Sequence, residues 1–300
     1  MKRIHIPGIV DIVSSDDPAE IVSFAQDPRL DRAYADHSIL VNGSILRRVQ
    51  ETLQIDGKPF PTVSPKCAQG RAEAQEALWI RLSAIAAHYA TGPDELENLA
   101  AFVCGEGSQD ACGRLVQQVV GGLFVPNFTA TEASWNAAVL LDKAPRTVNP
   151  VLLVWWALTH QVEKAKRILA DMVGGDPAAM HAIGIALHNI VSGVELMRQL
   201  YGDPANRTGL SPETAAGRCI FAPAKVLRQP TGPENTAKGQ LATGTLVILN
   251  LEDAKAKAAD RDVAFLRGTW SQCPAEAWVP ALLEGIWRRA CAHRLNSNRR

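Results

Sequence analysis

The chain has 300 residues, of which 47% are hydrophobic, and its 31 basic and 31 acidic side chains cancel. That length and apolar content allow a large buried core in one domain or two. A neutral chain lacks the basic surface typical of nucleic-acid and anionic-membrane binders. Its six cysteines form no CxxC pair and no secretory signal follows Met1, so a soluble cytoplasmic protein without nucleic-acid or membrane partners is expected.

The first part of the chain, residues 1–66, is predicted to mix strands, loops and one helix. Asp17 followed by Pro18 is typical of a helix start, and the helix should extend to about Gln26. Residues 31–65 contain Asn42-Gly43 and several prolines, a composition that predicts loops and short strands.

The next part, residues 67–210, is predicted to form a helical core. Apolar spacing and helix-start residues predict six helices, at about 69–89, 93–103, 110–120, 132–141, 150–173 and 177–200. Trp155 and Trp156 lie in the apolar run of the fifth helix and are predicted to be core residues. The last part, 211–300, adds a helix at 212–218, a strand at 244–250 and a helix after Cys273. The predicted class is mostly α with a small β portion, in a single domain of these three parts.

Cys273 is the residue with the most distinctive surroundings. Pro274 follows it and is tolerated at a first helical position, so Cys273 is predicted to be the N-cap of a helix. A helix N-terminus stabilises a thiolate, and a thiolate can bind haem iron. The alternative is that Cys273 is a small buried apolar residue, as many free cysteines are.

A second candidate site lies on the predicted helix 177–200. His181, His188 and Glu195 are spaced by seven residues and would share one helix face. The alternative interpretation is a solvated polar stripe on an amphipathic helix. If His188 faces a bound cofactor, it could act as a general acid-base or as an iron ligand.

Several segments, taken in order, resemble parts of a cytochrome P450. Val10–Val22 and Asp27–Asp31 are similar to the early strand and first helix of the family. The segment Arg218–Arg228 is similar to the end of the ExxR helix and the extended segment after it, and Gly244–Leu251 to the strand before the haem loop. The cysteine loop of the family is matched by Phe265, Gly268, Cys273, Pro274 and Ala275, and the helix behind that loop by Ala281–Ile286.

The resemblance implies a shortened P450-like fold and one b-type haem with Cys273 as the iron ligand. Arg228 would then contact a haem propionate, and Arg218, Phe265, Gly268 and Trp270 would also belong to the haem site. The sequence departs from the family in five ways. One extra residue lies between Phe265 and Cys273, Ala275 stands where the family has a glycine, and Ala215 stands at the ExxR glutamate position. The meander before the loop is mostly absent, and at 300 residues the chain is far shorter than a usual member.

Three functions remain open at this stage. The first is a haem-thiolate monooxygenase or peroxygenase acting on a small or apolar organic substrate. It would be supplied by a redox partner or by hydrogen peroxide, with His188 and Glu195 as catalytic acid-base residues. The second is a haem-binding but catalytically silent P450-like protein or partner subunit. The third is a helical protein without a cofactor.

Overall fold

A computed structural model of the protein describes residues 1–108, 110–147, 149–236, 239–258 and 261–297. The chain divides into two compact units. Unit 1 comprises Met1–Ala72 and Ala222–Cys273, and unit 2 comprises Glu73–Phe221 and Pro274–Arg300. Helices predominate and strands are few, which confirms the predicted class of mostly α with a small β portion.

The described strands are all short and lie in unit 1. They are β1 Lys2–Ile6, β2 Val10–Ser15, β3 Leu30–Asp31, β4 Gln54–Ile55, β5 Lys58–Pro59, β6 Val226–Pro230, β7 Glu234–Thr236, β8 Gly239–Leu241 and β9 Leu246–Leu249.

The described helices vary widely in length. The α-helices are α1 Pro18–Gln26, α2 Leu40–Thr52, α3 Arg71–Ala90, α4 Glu97–Val103, α5 Ala111–Gly122, α6 Glu132–Lys143, α7 Pro150–Thr159, α8 Gln161–Val173, α9 Pro177–His181, α10 Leu187–Gly202, α11 Pro204–Gly209, α12 Pro212–Arg218, α13 Leu251–Ala258, α14 Arg261–Phe265 and α15 Val279–Ser297. Short 3-10 turns cover Pro61–Val63, Asp94–Leu96 and Pro274–Ala277, and a π-helical segment covers Ala182–Ala186.

Unit 1 is built on a five-stranded sheet with the order β1-β2-β9-β6-β3. β2 and β9 are parallel, with Ile12 opposite Leu246, and the other neighbours in this sheet are antiparallel. Val13 and Val247 are fully buried on the two parallel strands. The sheet therefore joins the start of the chain to a segment in its last quarter.

The prediction of loops over 31–65 is wrong for residues 40–52, which form α2. Asn42-Gly43 lies inside this helix because tertiary contacts require both residues. The amide of the buried Asn42 donates to the carbonyls of Asp11 at 2.6 Å and Gly244 at 2.9 Å. A Cβ on Gly43 would lie 2.5 Å from the carbonyl oxygen of His37, so only glycine fits there.

Unit 2 is a helical assembly in which α6 packs on α8, and α15 packs on α4 and α12. The predicted helix 150–173 is two helices, because His160 adopts φ +53° and separates α7 from α8. The predicted core position of Trp155 is also wrong, since its side chain is 59% exposed.

The predicted helix 177–200 is present, but π-helical residues Ala182–Ala186 divide it into α9 and α10. By length and composition alone this helix could cross a membrane, yet half of its most apolar window is buried within the protein, as in a core helix. A π segment inserts the equivalent of an extra residue. The seven-residue spacing of His181 and His188 therefore does not place them on one face, whereas His188 and Glu195 share a face of α10.

Candidate functional site

The loop from Phe265 to Cys273 is closed by backbone hydrogen bonds in unit 1. The N–H of Cys273 donates to the carbonyl of the buried Phe265 at 2.9 Å, and Thr269 donates to Leu266 at 3.2 Å. Gly268 adopts φ +70° and its N–H donates to Oε1 of Gln272 at 3.1 Å. The backbone thus fixes the position of Cys273 at the end of the loop.

The environment of Cys273 corrects the sequence interpretation in one respect. The residues after it, Pro274–Ala277, form a 3-10 turn, and α15 begins only at Val279. The second residue of α15 is Pro280, and proline is favoured in the first turn of a helix. A long helix therefore does not begin at Cys273, and the helix dipole cannot account for a thiolate there. Cys273 is partly exposed rather than buried.

Three arginines surround the ring of Trp270, and we call Arg32, Arg71 and Arg228 the arginine cluster. Their guanidinium carbons lie 5.1, 4.8 and 5.1 Å from the Trp270 ring centroid, respectively. Arg228, on β6, is fully buried, and Arg32, which follows β3, is 7% exposed. An indole face attracts cations, so one ring contributes to holding three positive charges together.

Hydrogen bonds to neutral groups orient these arginines. Arg228 donates through Nη2 to the Ser271 hydroxyl at 2.7 Å and through Nη1 to its neighbour's carbonyl. Arg71 donates to the carbonyl of Trp270 at 3.3 Å, and Arg32 donates to the carbonyl of Pro61 at 2.9 Å. Two of the three arginines are therefore bonded to the loop that ends at Cys273.

The arginine cluster lacks acidic partners among the residues that the structure describes. No carboxylate oxygen lies within 4.0 Å of Arg32, Arg71 or Arg228 in that part of the chain. The nearby Asp31 already accepts hydrogen bonds at Oδ1 from the backbone of Arg32 at 2.6 Å and of Lys66 at 2.7 Å. The three arginine charges beside the one carboxylate of Asp31 leave two positive charges in excess.

Several buried nitrogens of this site also have no hydrogen-bond acceptor among the residues described by the structure. They are Nε of all three arginines and Nε1 of Trp270. A buried donor without an acceptor is costly, and an uncompensated buried charge more so. Four such donors lie close together here, and each could donate a hydrogen bond to an acceptor oxygen of a ligand.

The pKa values of the two most buried arginines, Arg228 and Arg32, are lowered at this site. Burial lowers the pKa of Arg228 to about 10, because the charged form loses its hydration. Burial also lowers the pKa of Arg32 well below its ordinary value, and repulsion from Arg228 and Arg71 lowers it further. Tyr34 and Cys273 act on Arg32 in the opposite direction, so the sulfur of Cys273 lies within electrostatic reach of the cluster.

Hydrogen bonds between β6 and the segment after β3 hold Arg228 and Arg32 near each other. The buried Tyr34 donates its hydroxyl to the carbonyl of Leu227 at 3.0 Å. Gln229 donates to the carbonyl of Asp36 at 2.7 Å and accepts from its N–H at 3.1 Å. The cations are therefore positioned by the fold before any ligand binds.

The structure brings several predicted site residues together in unit 1 and places others in unit 2. Cys273, Trp270 and Phe265 lie on one loop, and Arg228 is bonded to that loop; Gly268 shapes it. Arg218 belongs to unit 2, where it is an exposed residue at the end of α12, and the buried Ala215 occupies the ExxR glutamate position.

His188 and Glu195 lie on α10 in unit 2. The ring of His188 packs on Trp135 at a centroid distance of 5.2 Å, and its Nε2 lies 3.2 Å from the carbonyl oxygen of Ala138. Burial lowers the pKa of His188, although hydrogen bonds to the carbonyls of Ala138 and Gly184 oppose that shift. Glu195 is half-buried and lies near Cys112, where its charge adds to the effect of burial in raising the pKa of that thiol to about 12.

Sequence reasoning missed Arg32 and Arg71. Arg32 directly follows a segment, Asp27–Asp31, that resembles the P450 pattern, so its position beside that segment was an available signal. Arg71 is the first residue of α3 and has no motif around it. Nothing in the sequence indicates that it contacts the loop around Trp270, which lies far along the chain.

Comparison with solved structures identifies the fold. Alignment with CYP175A1 from Thermus thermophilus gives a TM-score of 0.59 at 15% identity and covers 97% of this chain and 83% of that chain. A 6-coordinated cytochrome P450 from Thermus thermophilus gives 0.60 at 14% identity, covering 96% and 85%. The tirandamycin C-bound P450 monooxygenase TamI gives 0.53 at 15%, covering 96% and 84%.

Sequence comparisons add nothing to these structural matches. No protein-family model matches the chain, and no curated protein is significantly similar in sequence. At 14 to 15% identity the structural likeness establishes the fold alone. The chain is therefore a divergent protein with the cytochrome P450 fold, as the sequence resemblance predicted.

Proposed function

We propose that the protein binds one b-type haem through Cys273 and the arginine cluster. The observation that supports this proposal is the group of three arginines without acidic partners among the described residues, held within electrostatic reach of a partly exposed cysteine. Haem carries two propionate groups, and the cluster has two positive charges in excess over Asp31. The charges and the chemistry of the donors fit that ligand.

The roles follow from the chemistry of each group. Cys273 would supply the sulfur ligand, and the cationic arginines beside it favour its deprotonated form. Arg228, together with Arg32 and Arg71, would bind the propionates, because a guanidinium forms strong charge-assisted hydrogen bonds with a carboxylate. The Nε atoms, which have no acceptor among the described residues, could then donate to propionate oxygens.

The corresponding activity would be the oxidation of a small or apolar organic substrate. A thiolate-bound haem supplies iron chemistry that transfers oxygen to organic molecules. Hydrogen peroxide is the proposed oxidant, because the chain shows no recognisable acid-alcohol pair for proton delivery. Glu195 and His188 remain the proposed acid-base residues. The contacts of His188 with Trp135 and with two carbonyls favour a packing role for that residue.

A haem-binding but catalytically silent protein is the second candidate. It is favoured by Ala215, which is buried where the family has the ExxR glutamate, and by the exposed position of Arg218. Without that carboxylate the arginine lacks its usual partner. A partner subunit of this kind would retain haem but give no turnover.

Absorption spectra with and without carbon monoxide test the haem proposal. Protein purified from haem-supplemented cells should show a thiolate-type Soret band, and Cys273→Ala should lose that spectrum while Cys67→Ala, at an exposed cysteine, keeps it. A protein without a Soret band, or an unchanged spectrum in Cys273→Ala, contradicts the proposal.

Turnover assays separate the two candidates. Substrate oxidation with peroxide that exceeds oxidation with dioxygen and surrogate reductases, and that falls in Glu195→Gln, supports the peroxide-driven enzyme. His188→Gln should lower the rate if His188 is an acid-base residue and should only lower stability if it packs against Trp135. Bound haem without turnover with either oxidant supports the silent protein.

A further inference from the structure

Two cysteines of unit 2 lie close together where α4 meets α15. Cys104 is the C-cap residue of α4, and Cys291 lies on α15, which packs on α4. The thiol of Cys104 donates to the carbonyl oxygen of Ala290 at 3.4 Å. That oxygen lies about 2.8 Å from the Cα of Cys291, because the peptide unit between them is planar. The sulfur of Cys104 therefore lies within roughly 6 Å of the Cα of Cys291.

Ion pairs on both sides of Cys291 hold the two helices together at this point. Arg289 and His293 lie two residues before and two residues after Cys291, and both contact Glu97 on α4. Glu97 precedes Cys104 by about two helical turns, so both residues lie on the same side of α4. The two cysteines therefore face each other across the contact between α4 and α15, the placement that a disulfide requires.

The groups near Cys291 act on its thiol. Burial and the neighbouring Cys104 raise the pKa of Cys291, so the two sulfurs lie within electrostatic reach of each other, and the charge of Arg207 on α11 opposes this rise. A cation near a thiol favours the thiolate, which is the nucleophile in thiol oxidation. Both cysteines are partly exposed, so a small oxidant can reach them.

We propose that Cys104 and Cys291 are a modification site at which hydrogen peroxide forms a disulfide between α4 and α15. The thiolate of Cys291 attacks one peroxide oxygen, the O–O bond breaks, and a sulfenic acid and one water form. The sulfur of Cys104 then attacks the sulfenic sulfur, so that the S–S bond forms, the S–O bond breaks and the oxygen leaves as a second water. The two sulfurs supply the two electrons that reduce the peroxide, and the two thiol protons complete the two waters.

The proposal is independent of haem binding, because both cysteines lie in unit 2 whereas Cys273 lies in unit 1. A disulfide here would tie two helices that are far apart in sequence. In denaturing electrophoresis without a reductant, the closed loop should make the oxidised chain migrate faster than the reduced chain. Dithiothreitol should restore the slower band.

Peptide mass spectrometry identifies the linked pair. The protein as purified is reduced, separated from the reductant and treated with an equimolar amount of hydrogen peroxide. After digestion without a reductant, the peptide that contains Cys104 should be joined to the peptide that contains Cys291. If this linked pair does not form, or if Cys291 is joined to a different cysteine instead, the proposal is wrong.

Three serine variants provide the controls. Cys104→Ser and Cys291→Ser should each lose the faster band, whereas Cys67→Ser, at an exposed cysteine of unit 1, should keep it. In Cys104→Ser the sulfenic acid at Cys291 has no thiol to resolve it, so dimedone should label Cys291 about tenfold more than in the wild type. A faster band that persists in Cys104→Ser, or no increase in dimedone labelling of Cys291, overturns the proposal.

Discussion

Basic side chains gather at two places in this protein, once with acidic partners and once without such partners among the described residues. In unit 2, Arg289 on α15 contacts Glu97 at 2.5 Å and Asp94 at 2.7 Å, and His293 contacts Glu97 at 2.5 Å and Glu106 at 2.9 Å. We call these five residues the α15 network. In unit 1, the more deeply buried arginine cluster has no such partners among the described residues.

The difference indicates what each group of charges does. Partly exposed ion pairs such as those of the α15 network contribute modestly to stability, typically up to about 1 kcal/mol each. Buried cations without acidic partners oppose folding, because hydrogen bonds to neutral groups and contacts with one aromatic ring replace only part of their lost hydration. We therefore expect the buried arginines of unit 1 to bind a ligand that supplies acceptor oxygens.

The largest expected effect is a faster loss of haem in Arg228→Leu, with Arg289→Leu as the control. Arg228→Leu should speed the loss of haem by about 10- to 100-fold, the equivalent of one charged hydrogen bond. It should not lower the free energy of unfolding of the haem-free protein, because it removes an uncompensated charge. Transfer of haem to an excess of an acceptor apoprotein, and urea unfolding, measure the two quantities.

Arg289→Leu is the matched control and should behave in the opposite way. It should retain haem and lower the unfolding free energy by about 1 kcal/mol. Equal rates of haem loss in the two variants would contradict the proposal that Arg228 binds a propionate. If the haem-free Arg228→Leu protein is less stable than Arg289→Leu, the arginine cluster has a structural role.

A smaller effect is expected from the ring that the three arginines share. Trp270→Leu should lower the unfolding free energy of the haem-free protein by about 1–2 kcal/mol, because three cation–π contacts are lost. Trp155→Leu, at an exposed tryptophan, should leave it unchanged. Urea unfolding checks both, and equal stabilities of the two variants would mean that the ring does not hold the cluster.

The smallest effect concerns pH and the α15 network. Hydrogen bonds with Glu97 and Glu106 raise the pKa of His293 above its ordinary value of 6.5. Charged His293 therefore stabilises the fold fully below pH 6.5, and this contribution is lost as the pH rises through the raised pKa.

The pKa of Glu97 shifts in the other direction. Burial raises this pKa, but hydrogen bonds from His293 and Arg289 lower it by more, so the net shift is downward from 4.5. The contribution of Glu97 is thus lost as the pH falls through its lowered pKa.

His293→Gln should accordingly destabilise by about 0.5 kcal/mol between pH 4.5 and 6.5 and by less at higher pH. Urea unfolding at several pH values measures this. A destabilisation that grows as the pH rises would contradict the charged pairing, and the effect of Arg228→Leu should not vary over the same range.

Helix starts were predictable from the sequence because their determinants are local. The side chain of Asp17 caps α1, as predicted, and the side chains of Thr131, Asn149 and Asp176 likewise cap the starts of α6, α7 and α9. Features set by distant contacts were missed. Asn42-Gly43 lies in a helix in which Asn42 bonds to Asp11 and Gly244, both distant in sequence, whereas the same dipeptide is common in turns.

The candidate site was predictable only in part. Cys273 and Trp270 share a loop with recognisable spacing, and Arg228 follows a family-like segment. The excess of charge could not be predicted, since Arg32 and Arg71 join the site from other parts of the chain. The exposure of Trp155 could not be predicted either, because an apolar helix has the same composition in a core and on a surface.

The pairing of β2 with β9 has a consequence for the order in which the protein forms. Ile12 meets Leu246 across these strands, so the central sheet closes a loop that contains most of the chain. Contacts this distant in sequence form late, after local helices, and a ribosome delivers Leu246 only when most of the chain has been made. Arg32 and Arg71 are synthesised early but acquire Arg228 and Trp270 as neighbours near the end. During synthesis these two arginines remain hydrated, and the electrostatic penalty of gathering them arises only in the final steps of folding.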